Sequence, residues 1–218
     1  MIFHPERSPV IIAGLTGGIA TGKSTVSGFL ADAGARIVDA DKIAQQVVKT
    51  GTRAFDDIVS FFGPRILEPG GELDRKRLGD IIFNDPVKKA RLNAIVHPQV
   101  FKQVNETVSR IATRSPHAVV ILDIPLLFET QMEIDLAEII VVYAPERIQL
   151  TRLMARDCLD EDAALARIRS QMPIKEKRRR ATMVIDNDGS LTRCRDQALA
   201  VYQHLKRRAD NDGLAVIG

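Results

Sequence analysis

Gly17-Gly18-Ile19-Ala20-Thr21-Gly22-Lys23-Ser24 satisfies the pattern GxxxxGK[ST] at every fixed position. Its flanks suit it. The apolar run Val10–Leu15 reads as a strand entering the segment, and Thr25–Ala33 has the apolar spacing of a helix leaving it. A glycine-rich turn between strand and helix aims backbone N–H groups at an anion, and the helix N-terminus adds a favourable dipole. Gly17 and Gly22 permit backbone angles and a close approach that a side chain would block. The cradle is expected to comprise Gly17, Gly18, Ala20, Thr21, Gly22 and Thr25, with Lys23 reaching the β- and γ-phosphates and Ser24 binding Mg²⁺. The expected ligand is a nucleoside triphosphate with Mg²⁺.

Four further runs, Arg36–Val38, Ala118–Leu122, Ile139–Tyr143 and Met183–Ile185, are nearly continuous in apolar residues, as parallel strands covered on both faces are. Their alternation with helical patterns predicts an α/β fold: a P-loop NTPase-type three-layer sandwich on a parallel five-stranded sheet, built from 10–50, 115–145 and 181–209. The long gap between the second and third strands reads as helices over Ala40–Lys49, Arg53–Phe62, Asp74–Phe83, Pro86–Val96 and Pro98–Thr113. Gly51, Gly63-Pro64, Pro69-Gly70-Gly71 and Asn84-Asp85-Pro86 punctuate them. A helical insertion over 51–114 is therefore expected. A second helical stretch, 146–180, is broken at Pro145 and Pro173, and Leu191–Arg208 closes the chain as an amphipathic helix.

Composition excludes several classes. Of 218 residues 45% are hydrophobic and 27% charged, too apolar for a disordered chain. No apolar run approaches the roughly 20 residues that a membrane span needs. Met1–Pro9 lacks the charged-then-apolar layout of a signal peptide. Cys158 and Cys194 form no CxxC, and no Cys/His/Asp cluster has zinc-ligand spacing. A cytoplasmic, reducing location and a monomer are expected.

The loop alone does not say what happens to the phosphate. Asp186–Gly189 and Asp210–Gly213 fit the DxxG of GTPases, but no NKxD guanine reader follows and both have the composition of turns. Asp39-Ala40-Asp41 ends the second strand, where ligand crevices of open α/β sheets lie. A carboxylate there could orient or deprotonate an attacking hydroxyl, and Asp41 is the stronger candidate; Asp39 reads as an N-cap. On extended chain the two lie on one side, and with a helix starting at Ala40 they diverge. Asp123 ends a strand and could hold Mg²⁺ through water, or cap the strand. Gln149, Arg152 and Arg156 fall on one helical face, as phosphate-facing groups or as a solvated basic face. The run Lys175–Arg180, KEKRRR, lacks the interleaved aromatics of a nucleic-acid patch and reads as a solvated, mobile basic segment.

Together these residues resemble the dephospho-coenzyme A kinase family. Leu15–Thr25 is similar to its LTGGIGSGKST, differing at Ala20 and Thr21, and Val38–Asp41 to its acidic D-A-D element. Leu73-Asp74-Arg75 with Leu78, His97-Pro98, and Asp123-Ile124-Pro125-Leu126-Leu127-Phe128-Glu129 resemble its LDR..L, HP and DIPLLFE segments. Gln149, Arg152, Arg156-Asp157 and Gln171 look like its lid, and Val184–Asn187 with Gly189 like its VIDN.G near the adenine. The likeness runs from about Val10 to Tyr202.

The resemblance implies transfer of the ATP γ-phosphate to the ribose 3′-hydroxyl of dephospho-CoA, the last step of coenzyme A synthesis. It implies a nucleotide core, a helical acceptor domain and a lid over 146–180. It implies Asp41 as base, Arg152 and Arg156 as catalytic lid residues and Asn187 near the nucleotide. His97, Pro125, Leu126 and Phe128 are implied at the acceptor. Other P-loop small-molecule or nucleoside kinases, and a nucleotide-gated RNA binder, are the alternatives. Two departures stand out. Ala20 replaces a glycine, with little consequence expected if its φ is negative. Thr182 stands where the family often has Asp. The net charge is +3, and 146–180 carries 10 Lys and Arg against 6 Asp and Glu. The positive excess therefore lies in the expected lid, which suits closure over polyphosphate.

Overall fold

The computed structural model describes residues 10–83, 85–130, 132 and 136–214. The reading of Met1–Pro9 and the turn residue Asn84 lie outside them. In chain order the elements are β1 (Ile11–Gly17), α1 (Lys23–Asp32), β2 (Arg36–Asp39), α2 (Ala40–Val47), α3 (Arg53–Phe62), α4 (Arg75–Phe83) and α5 (Pro86–Arg114). There follow β3 (Val119–Asp123), β4 (Glu138–Tyr143), α6 (Glu146–Asp157), α7 (Glu161–Arg169), α8 (Ile174–Arg180), β5 (Met183–Asp186) and α9 (Leu191–Leu214).

The five strands form one parallel sheet in the order β2-β3-β1-β4-β5. Val120, Ile121, Leu122, Ile140, Val141 and Val142 are fully buried. This explains their unbroken apolar sequence, since a two-sided sheet has no wet face on which to place polar residues. Each such side chain contributes about 1.5–3 kcal/mol on burial. One core joins Ala13 and Leu15 of β1, Val26 and Leu30 of α1, and Ala198 and Leu205 of α9. Register sets the chemistry at the carboxyl edge: Leu15 and Asp39 both lie beside Asp123, and Tyr143 beside Asp186.

The chain forms two compact units, one ending at Asp39 and resuming at Val108, the other Ala40–Thr107. The second unit thus starts before the expected 51 and ends before 114. Helix α2 belongs to the helical unit. Its own core is Ile58, Phe62, Ile66 and Leu78, with Val48, Leu92 and Ile95 packed on it. The Thr52 hydroxyl caps α3 by accepting the Phe55 N–H at 3.3 Å.

Two expectations are corrected here. Pro86–Val96 and Pro98–Thr113 are one helix, with His97 and Pro98 inside it. A proline removes one N–H and disfavours helix just before itself. Leu92, Ile95 and Val96 before it nevertheless pack on a core and Val100 and Val104 after it are buried, so side-chain burial on both sides favours one continuous helix. Asp210–Gly213, read as a turn, lies in α9.

Helices α6–α8, the expected lid, belong to the first unit. Leu153, Ala164 and Ile168 form a small core there, and Ile19 and Ala20 of the phosphate loop pack on it. Pro145 and Pro173 precede α6 and α8, as their positions in the sequence suggest.

Candidate active site

The loop between β1 and α1 folds as its glycines require. Gly22 has φ +88°, and a Cβ there would overlap Asn187 Nδ2. A Cβ on Gly17 would come within 2.6 Å of Thr21 Oγ1. The Thr21 side chain is turned onto the loop itself, its hydroxyl donating to the Gly18 carbonyl at 2.8 Å. Ala20 has φ +58°, so the condition under which its methyl would be innocuous is not met. A left-handed alanine costs about 1–2 kcal/mol. Packing of Ala20 on the Leu153 core offsets that cost.

A cavity of about 450 Å³ opens over the loop, lined by Gly17, Gly18, Ile19, Ala20, Gly22, Lys23, Ser24, Pro125, Arg152, Arg156 and Gln171. This brings most of the expected cradle together with both lid arginines. Thr25 lies exposed in the first turn of α1, outside the lining. Lys23 pairs with Asp123, which is almost wholly buried at the end of β3. Arg152 donates to the Asn187 carbonyl at 3.0 Å. Its Nη1 is buried and has no hydrogen-bond partner among the described residues. A buried guanidinium nitrogen left unpaired is costly, and an anion in the cavity would satisfy it. Arg156 is more exposed and held by Asp157, whose hydrogen bond raises the guanidinium's pKa and in return lowers that of the carboxyl.

Other expected residues sit elsewhere. Gln149 is buried below the cavity, its Nε2 donating to the Ala144 carbonyl at 2.9 Å. Asn187 is buried, and its Nδ2 donates to the Thr21 carbonyl at 2.8 Å. Phe128 is buried under the Arg180 guanidinium, 4.5 Å from its ring centroid, whereas Leu126 is exposed. Asp41 lies in the first turn of α2, which starts at Ala40 and so removes the extended spacing that would align it with Asp39. His97 is half-buried in α5, edge-on to Phe101, and burial lowers its pKa. Thr182 accepts the Ile139 N–H and donates to Glu138, a strand-pairing role that needs no carboxylate.

The basic run 175–180 lies in helix α8 with Lys175, Arg178, Arg179 and Arg180 exposed, as a solvated segment is, and Lys177 is the departure from that reading. Lys177 is fully buried and pairs with Glu129 at 2.7 Å. Arg178 lies over Tyr143 and reaches Asp186, and Arg180 covers Phe128. Lys177 was invisible as a site residue because a charge run gives no sign of which member turns inward. The one available signal was its spacing: Ile174 and Lys177, three residues apart, are both buried.

A central β1 followed by a glycine-rich loop, a lysine on a strand-end aspartate and two arginines across the cavity define a P-loop kinase. The sequence profile of the dephospho-CoA kinase family matches residues 11–193, and the chain belongs to that family. Dephospho-CoA kinase of Carboxydothermus hydrogenoformans is 47% identical over 195 residues, covering 89% of this chain and 94% of that one. That of Moorella thermoacetica is 44% identical over 203 residues, covering 93% and 96%. Among solved structures, dephospho-CoA kinase from Campylobacter jejuni is 31% identical with a TM-score of 0.69, covering 91% of this chain and 98% of that chain. A Thermus thermophilus protein reaches 38% and 0.77, covering 89% and 96%.

Proposed function

We propose that this chain transfers the γ-phosphoryl group of ATP to the ribose 3′-hydroxyl of dephospho-CoA. The observation that carries the reading is the cavity in which Lys23 and the buried, unsatisfied Arg152 Nη1 face the loop glycines. Phosphoryl transfer needs little covalent chemistry from the protein, so positioning and charge stabilisation do most of the work. Loop N–H groups and Lys23 hold the phosphates, and Arg152 and Arg156 offset charge on the transferring group. Asp41, just after the carboxyl end of β2, orients or deprotonates the acceptor hydroxyl. His97 and the Pro125–Phe128 segment serve the acceptor side.

The Ser24 hydroxyl on α1 and the Asp123 carboxylate at the strand end are hard oxygen donors, the type that Mg²⁺ prefers, so these residues suit that ion. Mg²⁺ would supply charge neutralisation at the phosphates. A cytoplasmic monomer is part of the same reading, and among the described residues no helix is long and apolar enough to cross a membrane.

A coupled assay of ADP release across dephospho-CoA, nucleosides and nucleoside monophosphates tests the acceptor. Turnover with dephospho-CoA alone is expected; silence with it and activity on a nucleoside would assign another kinase. Asp41→Asn is expected to lose turnover by about 10²–10⁴-fold while ADP binding survives. Near-normal kcat would remove Asp41 from the base role.

A further inference from the structure

Three side chains from distant sequence hold the backbone of the phosphate loop without being among the residues that the pattern names. Lys177 Nζ donates to the Gly17 carbonyl at 3.3 Å. Asn187 Nδ2 donates to the Thr21 carbonyl at 2.8 Å, and Gln171 Oε1 accepts the Ile19 N–H at 2.9 Å. Lys177 is the most constrained of the three. It is fully buried, it does not line the cavity, and its ammonium has three oxygen partners: Glu129 at 2.7 Å, Pro125 O at 3.2 Å and Gly17 O. Those partners are themselves shared. Glu129 Oε1 also accepts the Met172 N–H at 3.0 Å, and Pro125 O also accepts the Thr16 hydroxyl at 2.9 Å.

A peptide unit is planar and trans, so its C=O and N–H point in opposite directions. Holding the Gly17 carbonyl therefore fixes the Gly18 N–H on the other side, and holding the Thr21 carbonyl does the same for the Gly22 N–H. Gly18 and Gly22 line the cavity; Lys177 and Asn187 do not. A glycine-rich loop is otherwise free to flip these planes, which would present carbonyl oxygens to an anion.

We infer that Lys177, braced by Glu129, is a positioning residue that locks the first peptide plane of the phosphate loop, with Asn187 locking the last, so that the loop is preset to receive the polyphosphate of ATP. The pair acts on the nucleotide and not on the acceptor. It rests on the reading of the loop as the ATP site, but not on the identity of the acceptor.

Lys177→Met keeps the buried stem and removes the charge. Calorimetric titration with ADP and steady-state kinetics at 20 °C are expected to show ADP affinity and the KM for ATP weakened at least tenfold, with the KM for the acceptor within twofold. A merely structural lysine would lower the melting temperature and the active fraction while leaving both nucleotide constants at their wild-type values, and that result would overturn the inference. Glu129→Gln keeps an oxygen for Lys177 and for the Met172 N–H, so it folds where Lys177→Met fails to. It is expected to weaken ADP by a smaller factor, three- to fivefold; unchanged ADP affinity would likewise overturn the lock. Wild-type protein that binds ADP but does not phosphorylate dephospho-CoA would overturn the proposed acceptor alone, and the titration would still read the lock.

Discussion

Two lysine–carboxylate pairs flank the phosphate loop, and they do different things with the same chemistry. Lys23 with Asp123 lies at the cavity, and both side chains keep a little exposure, 20% and 11%. Lys177 with Glu129 lies away from it, and Lys177 has none. An ammonium with access to the cavity can exchange its carboxylate for a phosphate. One surrounded by two carbonyls and a carboxylate cannot leave without stranding buried acceptors. On the proposed reading the first pair acts on the ligand, and the second acts on the backbone that meets it. Charge in a phosphate site is therefore not one resource: its effect depends on whether it faces the anion or the loop's own carbonyls.

The largest expected effect breaks the cavity pair. Lys23→Ala should lower kcat by roughly 10²–10³-fold, read by single-turnover phosphoryl transfer, far more than any change at Lys177. Asp123→Asn comes next: it should raise the Mg²⁺ concentration needed for half-maximal rate by about tenfold, an order expected for losing one ligand-shell partner. Glu129→Gln should leave that Mg²⁺ requirement unchanged. Equal shifts in both variants would erase the distinction between the pairs.

A pH comparison sharpens it. Burial lowers the Lys177 pKa against the opposing pull of Glu129. Between the lowered folded value and the ordinary lysine value, the unfolded chain binds the proton and the folded chain does not, so this group's contribution to stability rises with pH. The melting temperature of wild type relative to Lys177→Met should accordingly climb as the pH nears the ordinary lysine value of 10.5 from below, and a flat difference there would contradict it. The smallest effect belongs to Ala20→Gly. Relief of the positive φ and loss of the methyl contact nearly cancel, so stability should change by less than about 1 kcal/mol in denaturant unfolding.

Much of the fold was legible because its signals are local. Every strand was placed within two residues at each end, since a two-sided parallel strand writes an uninterrupted apolar run. The loop and Lys23 are legible because a phosphate cradle requires glycines and a lysine at fixed spacing, whereas the spacing of Arg152 and Arg156 leaves two readings open and the family resemblance alone favours the cavity. What failed was decided by tertiary contact. Pro98 looks like a helix boundary until the packed residues on both sides of it are considered, and KEKRRR looks uniformly solvated although Lys177 alone turns inward onto Glu129. Ala20 could not be read at all, because a residue's φ leaves no trace in its identity when packing compensates the strain.

The bracing of the loop has a consequence for biosynthesis. Residues 17–21 are held by Gln171, Lys177 and Asn187, and β1 has no strand neighbour until β3 and β4 exist. Contacts so far apart in sequence form late, and a chain emerging from the ribosome folds from its N-terminal side. The glycine motif is therefore made well before the residues that complete it: a nascent chain shorter than about Asn187 carries the whole motif without the side chains that shape it. ATP can then reward only chains that extend past Asn187, by binding the folded state alone and shifting the equilibrium towards it.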